Sequence, residues 1–524
     1  MKKGFACAAW LAAGIVFMPL LPGFVLMAKP LLAGEIWLAL WRDSQWTEAL
    51  ETTLVSTLIS VSGALLLALI ILCGLYPGER WQRYLRRLPP LLAFPHVAFA
   101  SGFYFLFADG GWLPRALGLS LPADNYGVGL GLMLALKEAW FLLWFAGAQL
   151  GAQRISQQLT VARSLGYGEL QSRLRVLVPQ LLPRLGWALV AITAYSLSVV
   201  DVALILGPDN PPTFAVLAWQ WLTDSDTQRQ AMGLAASCIL LLLLGGFIFG
   251  GRLLWSLVRQ TGAHFSGRRS DFSLNCFARI LARTLSLIGL CAAAILAVWS
   301  CAEGWFYPAL FPEAFSLGGW QQAALSPLIT SLFAGLVSAL LAVIIVLLWL
   351  EGGERHHDFW LLLPLLLPAL PLAAGQYQLL LRLRLEGSPG ALIWSHLLWV
   401  VPYTLIILRP AWQGIDARSV LTARTFGWSR GKILCLIKIP LLIRPLLAAL
   451  AVGFSVSIAQ YLPTLYAGAG RFTTTTTEAV ALSSGGDPQQ FAIQALLQTL
   501  LPLLVFIATA QLSRLAGFYR KGLR

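Results

Sequence analysis

The chain has 524 residues, of which 58% are hydrophobic and 11% are charged, and its mean hydropathy is +0.74. A soluble domain carries about a quarter charged residues, so this composition excludes a soluble globular protein. The net charge of +14 would suit nucleic-acid binding, but the basic residues cluster in every second loop between apolar runs, as in membrane proteins.

Long apolar runs follow one another along the chain and predict an all-α membrane protein with about twelve spanning helices. At about 1.5 Å per residue, runs such as 52–76 and 326–350 can cross a hydrocarbon core of about 30 Å. Backbone groups must be hydrogen-bonded within lipid, so lipid-exposed strands are not expected. In chain order the predicted spans are 6–27, 52–76, 88–108, 127–149, 185–206, 231–254, 282–302, 326–350, 359–381, 390–409, 445–466 and 490–513.

The charges of the loops predict which side of the membrane they face. Arginine clusters follow the second, fourth and sixth predicted helices and the last one, whereas the loops between them are mostly acidic or nearly neutral. By the positive-inside rule, both termini are expected in the cytoplasm, although Arg382 and Arg384 on the outer side are exceptions. The first apolar run resembles a signal peptide, but its length and its counterpart in the second half predict that it is retained.

A loop pattern occurs twice, at 162–185 and 423–446, each time between two predicted spans. Each copy has an alanine followed by an arginine, then a glycine, and a proline 13 residues after the glycine (179 − 166 and 440 − 427). The alanine and glycine would share one face of a short helix, where another backbone could approach, and proline is tolerated in the first turn of the next helix. The residues are Ala162, Arg163, Gly166 and Pro179 in the first copy, and Ala423, Arg424, Gly427 and Pro440 in the second.

The repeated loop favours docking to a partner over catalysis, because neither copy holds paired carboxylates or a histidine. Two ordinary positive-inside loops would explain the arginines, but not the shared spacing. The seven cysteines show no CxxC spacing and no nearby histidine ligand set. Neither a metal site nor a catalytic residue is predicted.

The repeat extends beyond the loops and divides the chain into two similar halves. The string GER follows the second predicted helix at 78–80 and the eighth at 353–355. Paired halves are typical of transporters whose substrate path lies at the interface between them. The predicted division is 1–262, containing the loop at 160–183, and 263–524, containing the loop at 421–444.

Polar residues are also predicted at membrane depth, where charged groups usually line a cavity or pair with one another. They could face a central translocation path, or they could form hydrogen bonds between helices. The two acids among them would favour a cationic cargo. The residues are Lys137, Glu138, Asp201, His396 and Gln460.

The two loops resemble the EAA loop of permeases in binding-protein-dependent ABC importers, which reads roughly E-A-A, three residues, G, nine residues and I-x-L-P. Two such halves in one chain are similar to the fused permeases of the ferric-iron and thiamine importers. The Glu of that pattern is replaced by Thr160 and by Leu421, so an ion-pair or capping role for it is not carried over. The matching residues are Ala162, Gly166, Val176, Val178 and Pro179, and Ala423, Gly427, Ile437, Ile439 and Pro440.

The resemblance implies a type I ABC importer permease fold in the bacterial inner membrane, with each repeated loop forming a coupling helix. These helices would dock on two copies of a separate ATP-binding subunit, and a periplasmic solute-binding protein would deliver a small-molecule or ion substrate. ATP would be bound by the partner, since this chain has no GxxxxGK[ST] motif. The chain is expected to be a transport subunit, not an enzyme, with no cofactor of its own and no nucleic-acid partner.

Two other functions stay open. A secondary transporter driven by an ion gradient would explain the two halves and the intramembrane carboxylates equally well. It gives no reason for the repeated loop, and neither does a non-transporting scaffold or channel.

Overall fold

The computed structural model describes residues 2–122, 124–151, 155–262, 272–352 and 357–521, and within them it is almost entirely helical. Strands β1 (Ala302–Glu303) and β2 (Ala314–Phe315) form a short antiparallel pair. The helices before residue 263 are α1 (Lys2–Phe17), α2 (Leu20–Ala28), α3 (Gly34–Arg42), α4 (Trp46–Leu75), α5 (Glu79–Ala93), α6 (His96–Phe107), α7 (Trp112–Leu117), α8 (Val128–Gly151), α9 (Ile155–Ser164), α10 (Glu169–Ser172), α11 (Val178–Leu181), α12 (Gly186–Ser198), α13 (Ala203–Leu206), α14 (Phe214–Leu222) and α15 (Thr227–Gly262). The later helices are α16 (Asn275–Cys301), α17 (Gly318–Gln322), α18 (Leu325–Gly352), α19 (Asp358–Leu362), α20 (Ala369–Leu383), α21 (Pro389–Gln413), α22 (Ala417–Thr425), α23 (Arg430–Ile433), α24 (Ile439–Leu441), α25 (Ile443–Ile458), α26 (Leu462–Gly468), α27 (Thr475–Ser483) and α28 (Pro488–Lys521).

The described part of the chain has 9 helices long and apolar enough to cross a membrane, or up to 12 spans if each of three bent pairs counts as one. The predicted all-α membrane class is therefore confirmed, and the predicted number of spans agrees when the bent pairs are included. The bent pairs are Glu79–Ala93 with His96–Leu117 at 93°, Asp358–Leu366 with Ala369–Leu383 at 107°, and Arg430–Leu441 with Ile443–Ile458 at 79°.

Two predicted spans, 88–108 and 359–381, are wrong as straight helices, because each is broken at a proline. The breaks lie at Pro95 and Pro368, immediately before α6 and α20. Proline disfavours helical backbone at the residue before it, and Leu367 is indeed extended, with φ −110° and ψ 150°. The hydropathy of these segments shows that they are long and apolar, but it does not show that they change direction.

The helices of the two sequence halves interlock. At the start of the chain, α1 packs on α18 and α21, and α2 packs on α20, all in the second half. Conversely, α16 at the start of the second half packs on α4 and α6 of the first. Each half thus contributes its first helices to the bundle of the other. The predicted boundary segment 263–271 and the second GER string at 353–355 lie outside the described residues.

Two close helix contacts repeat this arrangement in both halves. A β-carbon on Gly102 in α6 would overlap the carbonyl group of Ala292 in α16. A β-carbon on Gly23 in α2 would likewise overlap the carbonyl group of Gly375 in α20. Only glycine allows backbones to approach this closely. The same kind of contact therefore occurs twice, between α6 and α16 and between α2 and α20. The glycine that allows the close approach lies on α6 in the first pair and on α2 in the second.

Replacing Gly102 with leucine should prevent α6 and α16 from packing and sharply lower the yield of folded protein. Overpacking a close contact costs about 3 kcal/mol, and here the obstacle is rigid backbone. The matched control is Gly245→Leu in α15, because no atom lies within 4 Å of a β-carbon at Gly245. Monodisperse yield after detergent extraction and the unfolding temperature would both be measured. Equal yields for the two variants would contradict the close contact.

Candidate functional site

Both copies of the repeated loop begin with a short helix that ends in the same kind of turn. Gly166 follows α9 with φ +84°, and Gly427 follows α22 with φ +73°. The N–H of the residue after each glycine donates to the carbonyl of Ala162 (3.2 Å) or Ala423 (3.1 Å). A left-handed glycine with this hydrogen bond is a common end of a helix, because it satisfies carbonyl groups that the helix leaves free.

The predicted small-residue face formed by the alanine and the glycine is wrong. Each glycine lies beyond the end of its helix, so it does not share a helix face with the alanine four positions earlier. Among the described residues of this chain, no atom lies within 4 Å of where a β-carbon on Gly427 would be, so no contact inside the chain requires glycine there. The left-handed backbone is the reason, since residues with a β-carbon rarely adopt it.

The second part of each loop contains a π-helical turn at the same place in the repeat. The turns are Arg173–Leu177 and Leu434–Lys438, which begin 261 residues apart (434 − 173). Pro179 and Pro440 follow them, each at the second residue of a new α-helical segment. A proline inside a helix lacks the N–H and clashes with the carbonyl four residues earlier, and the wider π turn relieves both problems. The prolines therefore lie inside continuing helical segments and not, as the sequence predicted, in the first turn of the next membrane helix. Pro179 lies within Glu169–Ser198, and Pro440 lies before the bend that separates Arg430–Leu441 from Ile443–Ile458.

Each loop presents exposed apolar side chains. At the first copy they border a cavity of about 300 Å³, which is lined in part by Val161 and Leu165. At the second copy a cavity of about 350 Å³ lies away from the glycine turn, between the end of α21 and Leu441. The apolar side chains around the glycine turns are each more than half exposed, and Arg163 and Arg424 are exposed next to them. Apolar side chains grouped on an exposed loop are typical of a protein-binding surface. These side chains are Val161 and Leu165 in the first copy, and Leu421 and Phe426 in the second.

Lys137 caps the end of a broken helix. Its side chain is buried, and its ammonium group donates to the carbonyls of Leu91 (2.9 Å), Leu92 (3.3 Å) and Phe94. These carbonyls lie where α5 ends before the Pro95 break, so they have no partner within the helix. For Lys137 the structure therefore favours the inter-helix alternative over the predicted path.

His396 is fully buried at a junction of three helices. Its Nδ1 lies 2.7 Å from Ser457 Oγ in α25, and its Nε2 lies 2.9 Å from Thr464 Oγ1 in α26. Both ring nitrogens are therefore hydrogen-bonded to neighbouring helices, which again matches the inter-helix alternative.

His396→Leu should lower the stability of the protein without changing its affinity for cargo. The Ser457 hydroxyl would lose its imidazole partner, whereas Thr464 keeps a bond to the Gln460 carbonyl. The expected loss is about 1.5 kcal/mol, because a buried polar group is left unpaired. Thermal unfolding and the concentration dependence of uptake would be compared. Unchanged stability with altered cargo affinity would instead place His396 on the path.

Glu138 and Asp201 belong to one polar cluster that includes residues of both sequence halves. Glu138 Oε1 lies 2.9 Å from His96 Nε2, and the His96 ring centre lies 4.7 Å from that of Tyr195. The Tyr195 hydroxyl interacts electrostatically with both carboxylates. From the second half, Tyr403 interacts with Glu138. We call these residues, together with Asp201 and its neighbour Tyr461, the polar centre.

Asp201 lies just beyond α12 and is partly exposed. It interacts electrostatically with Tyr461 and with His96, and among the described residues it forms no ion pair with a lysine or arginine. Gln460 is also partly exposed and precedes Tyr461, and its side-chain amide donates to the Val456 carbonyl of its own helix (3.1 Å). The polar centre thus combines two carboxylates with several aromatic rings, which suits a cation, and the buried Lys137 ammonium, which interacts with Glu138, offsets part of the negative charge.

His96 and the tyrosines of the polar centre were not predicted from the sequence. Tyrosine is common in membrane helices, and its position along a helix does not show which neighbour it faces. His96 had one usable signal, because it follows Pro95 at the start of a helix inside an apolar run. The hydrogen bond to Glu138 across 42 residues could be found only from the fold.

Comparisons with known proteins give consistent relatives. No protein-family model matches the chain. The chain is 48% identical over 516 residues to the inner membrane ABC transporter permease protein YnjC of Escherichia coli (strain K12), which covers 98% of each protein. It is 26% identical over 505 residues to the thiamine transport system permease protein ThiP of the same organism, which covers 91% of each. It is also 25% identical over 468 residues to the probable ABC transporter permease protein y4fN of Sinorhizobium fredii, covering 81% of this chain and 78% of that protein.

Identity of 48% over nearly the whole length, together with the apolar helices, is sufficient to assign a family. The chain belongs to the ABC transporter permeases and is a multi-pass protein of the inner membrane.

Proposed function

We propose that the chain forms the translocation path of a binding-protein-dependent importer and that its two repeated loops couple this path to a separate ATP-binding subunit. The observation that carries the proposal is the duplicated loop, with a left-handed glycine and a π-helical turn in each copy. Two equivalent docking loops fit two copies of one partner, each receiving one loop. ATP belongs to that partner, and a periplasmic solute-binding protein would supply the cargo.

The exposed apolar residues and arginines of the loops would contact the ATP-binding subunit directly. Apolar groups would bury in a groove of that subunit, and the arginines would steer and orient the contact. Movement of the two bound subunits would change the distance between the loops. In this way nucleotide-driven closure would be converted into opening and closing of the path.

The proposed path passes the polar centre, and the proposed cargo is a cation. Glu138 and Asp201 supply negative charge, and the surrounding tyrosines offer aromatic faces that attract cations. ThiP is named for thiamine, which is itself an organic cation, although its 26% identity assigns no particular cargo to this chain. Gln460, beside Tyr461, is proposed to line the same path.

Co-expression with an ATP-binding subunit encoded by a neighbouring gene tests the docking part of this proposal. We expect the two chains to purify together from detergent, with two copies of the ATP-binding subunit for each permease chain. Measured mass by light scattering would give this ratio. A permease that purifies alone after co-expression would contradict the proposed docking.

A further inference from the structure

The π-helical turn of the first loop is held to the end of a membrane helix by a buried cation. Arg173, the first residue of that turn, has only 4% of its side chain exposed. Its guanidinium donates to the carbonyl of Cys73 at 2.8 Å, close to the end of α4. It also donates to Oδ1 of Asn275 at 2.9 Å, at the first residue of α16. The turn is therefore tied to α4 and α16 together.

Glu169 extends this link to the exposed helix of the first loop. One carboxylate oxygen accepts from the Asn275 amide at 2.5 Å and lies 3.5 Å from the Arg173 guanidinium. The other lies 3.5 Å from the guanidinium of Arg163, in the last turn of α9. A continuous polar connection thus runs from α9 to the end of α4.

The second loop has a corresponding link made by different residues. Lys438, the last residue of the second π-helical turn, forms an ion pair with Glu351 near the end of α18. Their side chains are 12% and 4% exposed. The Lys438 ammonium also lies 4.4 Å from the ring centre of Trp412, near the end of α21.

The two links join equivalent elements although the residues are not equivalent. Cys73 and Glu351 each immediately precede a glycine, Gly74 or Gly352, at which the helix end packs against the first helix of the other half. The repeat position of Arg173 holds Leu434 in the second loop (173 + 261). In both halves a buried cation of the π-helical turn is nevertheless fixed to the end of the equivalent membrane helix, α4 in the first half and α18 in the second.

We propose that Arg173 and Lys438 are positioning residues that transmit movement of the docking loops to α4 and α18. This inference rests on the coupling role proposed above. A π-helical turn interrupts the α-helical hydrogen-bond pattern, so it is a point at which the angle between loop and bundle is not fixed by that pattern alone. The buried cation removes that freedom by fixing the turn to a helix end. Breaking the link would therefore separate ATP hydrolysis from transport and leave docking in place.

The Lys438–Glu351 pair allows a direct test in the complete complex reconstituted in lipid vesicles. For Lys438→Met we expect normal assembly and near-normal ATP hydrolysis, with uptake per ATP reduced about ten-fold. The charge-swapped variant Lys438→Glu with Glu351→Lys should recover most of that loss, because it rebuilds the pair. The matched control is Lys432→Met, in the same loop, where the lysine is exposed and lies 4.6 Å from the Trp428 ring centre. It should leave uptake per ATP unchanged.

Several results would overturn the inference without touching the proposed function. One is an assembled Lys438→Met complex with unchanged uptake per ATP. Another is a swapped variant that assembles but remains as uncoupled as Lys438→Met. If the Lys438→Met complex does not assemble, the charge-swapped variant provides the test. A swapped variant that restores neither assembly nor coupling would rule out the link. Absence of any complex with the unmodified chain would instead contradict the proposed function itself.

Discussion

Replacing Gly427 with arginine should weaken binding of the ATP-binding subunit, although nothing in this chain crowds that position. Gly427 has φ +73°, and a residue with a β-carbon in this region costs about 1–2 kcal/mol. The turn that positions Leu421 and Phe426 would shift to avoid that cost. A loss of about 1.4 kcal/mol of binding free energy raises the dissociation constant ten-fold, so we expect about ten-fold weaker binding at the altered loop. Titration of the subunit onto the purified permease in lipid discs would measure it.

Gly166→Arg should have the same effect at the first loop, because Gly166 has φ +84°. The control is Gly431→Arg, which adds the same charge to the second loop within α23, where no atom lies within 4 Å of a β-carbon. We expect this control to bind normally. Equal weakening by the control would attribute the effect to charge, and undiminished binding of Gly166→Arg and Gly427→Arg would contradict the docking role of the turns.

Removing the charge of Glu138 or Asp201 should reduce transport of a cationic cargo. Glu138→Gln and Asp201→Asn keep the size of the side chain and its hydrogen-bonding capacity but delete the negative charge. A bond to a charged group contributes about 2 kcal/mol, so the concentration giving half-maximal uptake should rise about thirty-fold. Uptake by the reconstituted complex, measured over a range of cargo concentrations, gives this value. Combining the two substitutions should have a larger effect than either one.

The control for the carboxylates is Glu51→Gln, because Glu51 is exposed near the start of α4 and lies outside the polar centre. It should transport normally. Unfolding temperatures of all variants would separate lost cargo binding from lost folding. Normal half-maximal concentrations for both Glu138→Gln and Asp201→Asn would contradict a cationic path through the polar centre.

The sequence predicted the membrane class well because apolar length is recorded locally along the chain. Direction is not recorded in the same way, so the apolar runs at 88–108 and 359–381 do not show that the chain bends at Pro95 and Pro368. The residue before each proline was the available signal. Exchange of first helices between the halves depends on contacts such as Gly102 with Ala292, which join positions far apart in sequence.

The candidate site, like the fold, could be predicted from the sequence only in part. Spacing identified Gly166, Gly427 and their prolines, but the reason for the glycines is backbone conformation, which spacing alone did not reveal. Lys137 and His396 were predicted at membrane depth, but their partners are carbonyl and hydroxyl groups on other helices. Depth can be inferred from an apolar run, whereas the direction that a side chain faces depends on tertiary packing.

The most direct test of the central claim is ATP hydrolysis by the permease reconstituted in lipid with the ATP-binding subunit encoded beside it. The rate would be compared with and without the neighbouring solute-binding protein, presented empty or loaded with candidate cations. We predict that the loaded binding protein stimulates hydrolysis and that the stimulating ligand is also taken up. Uptake that needs no ATP-binding subunit and follows a proton or sodium gradient would contradict the claim and indicate a secondary transporter.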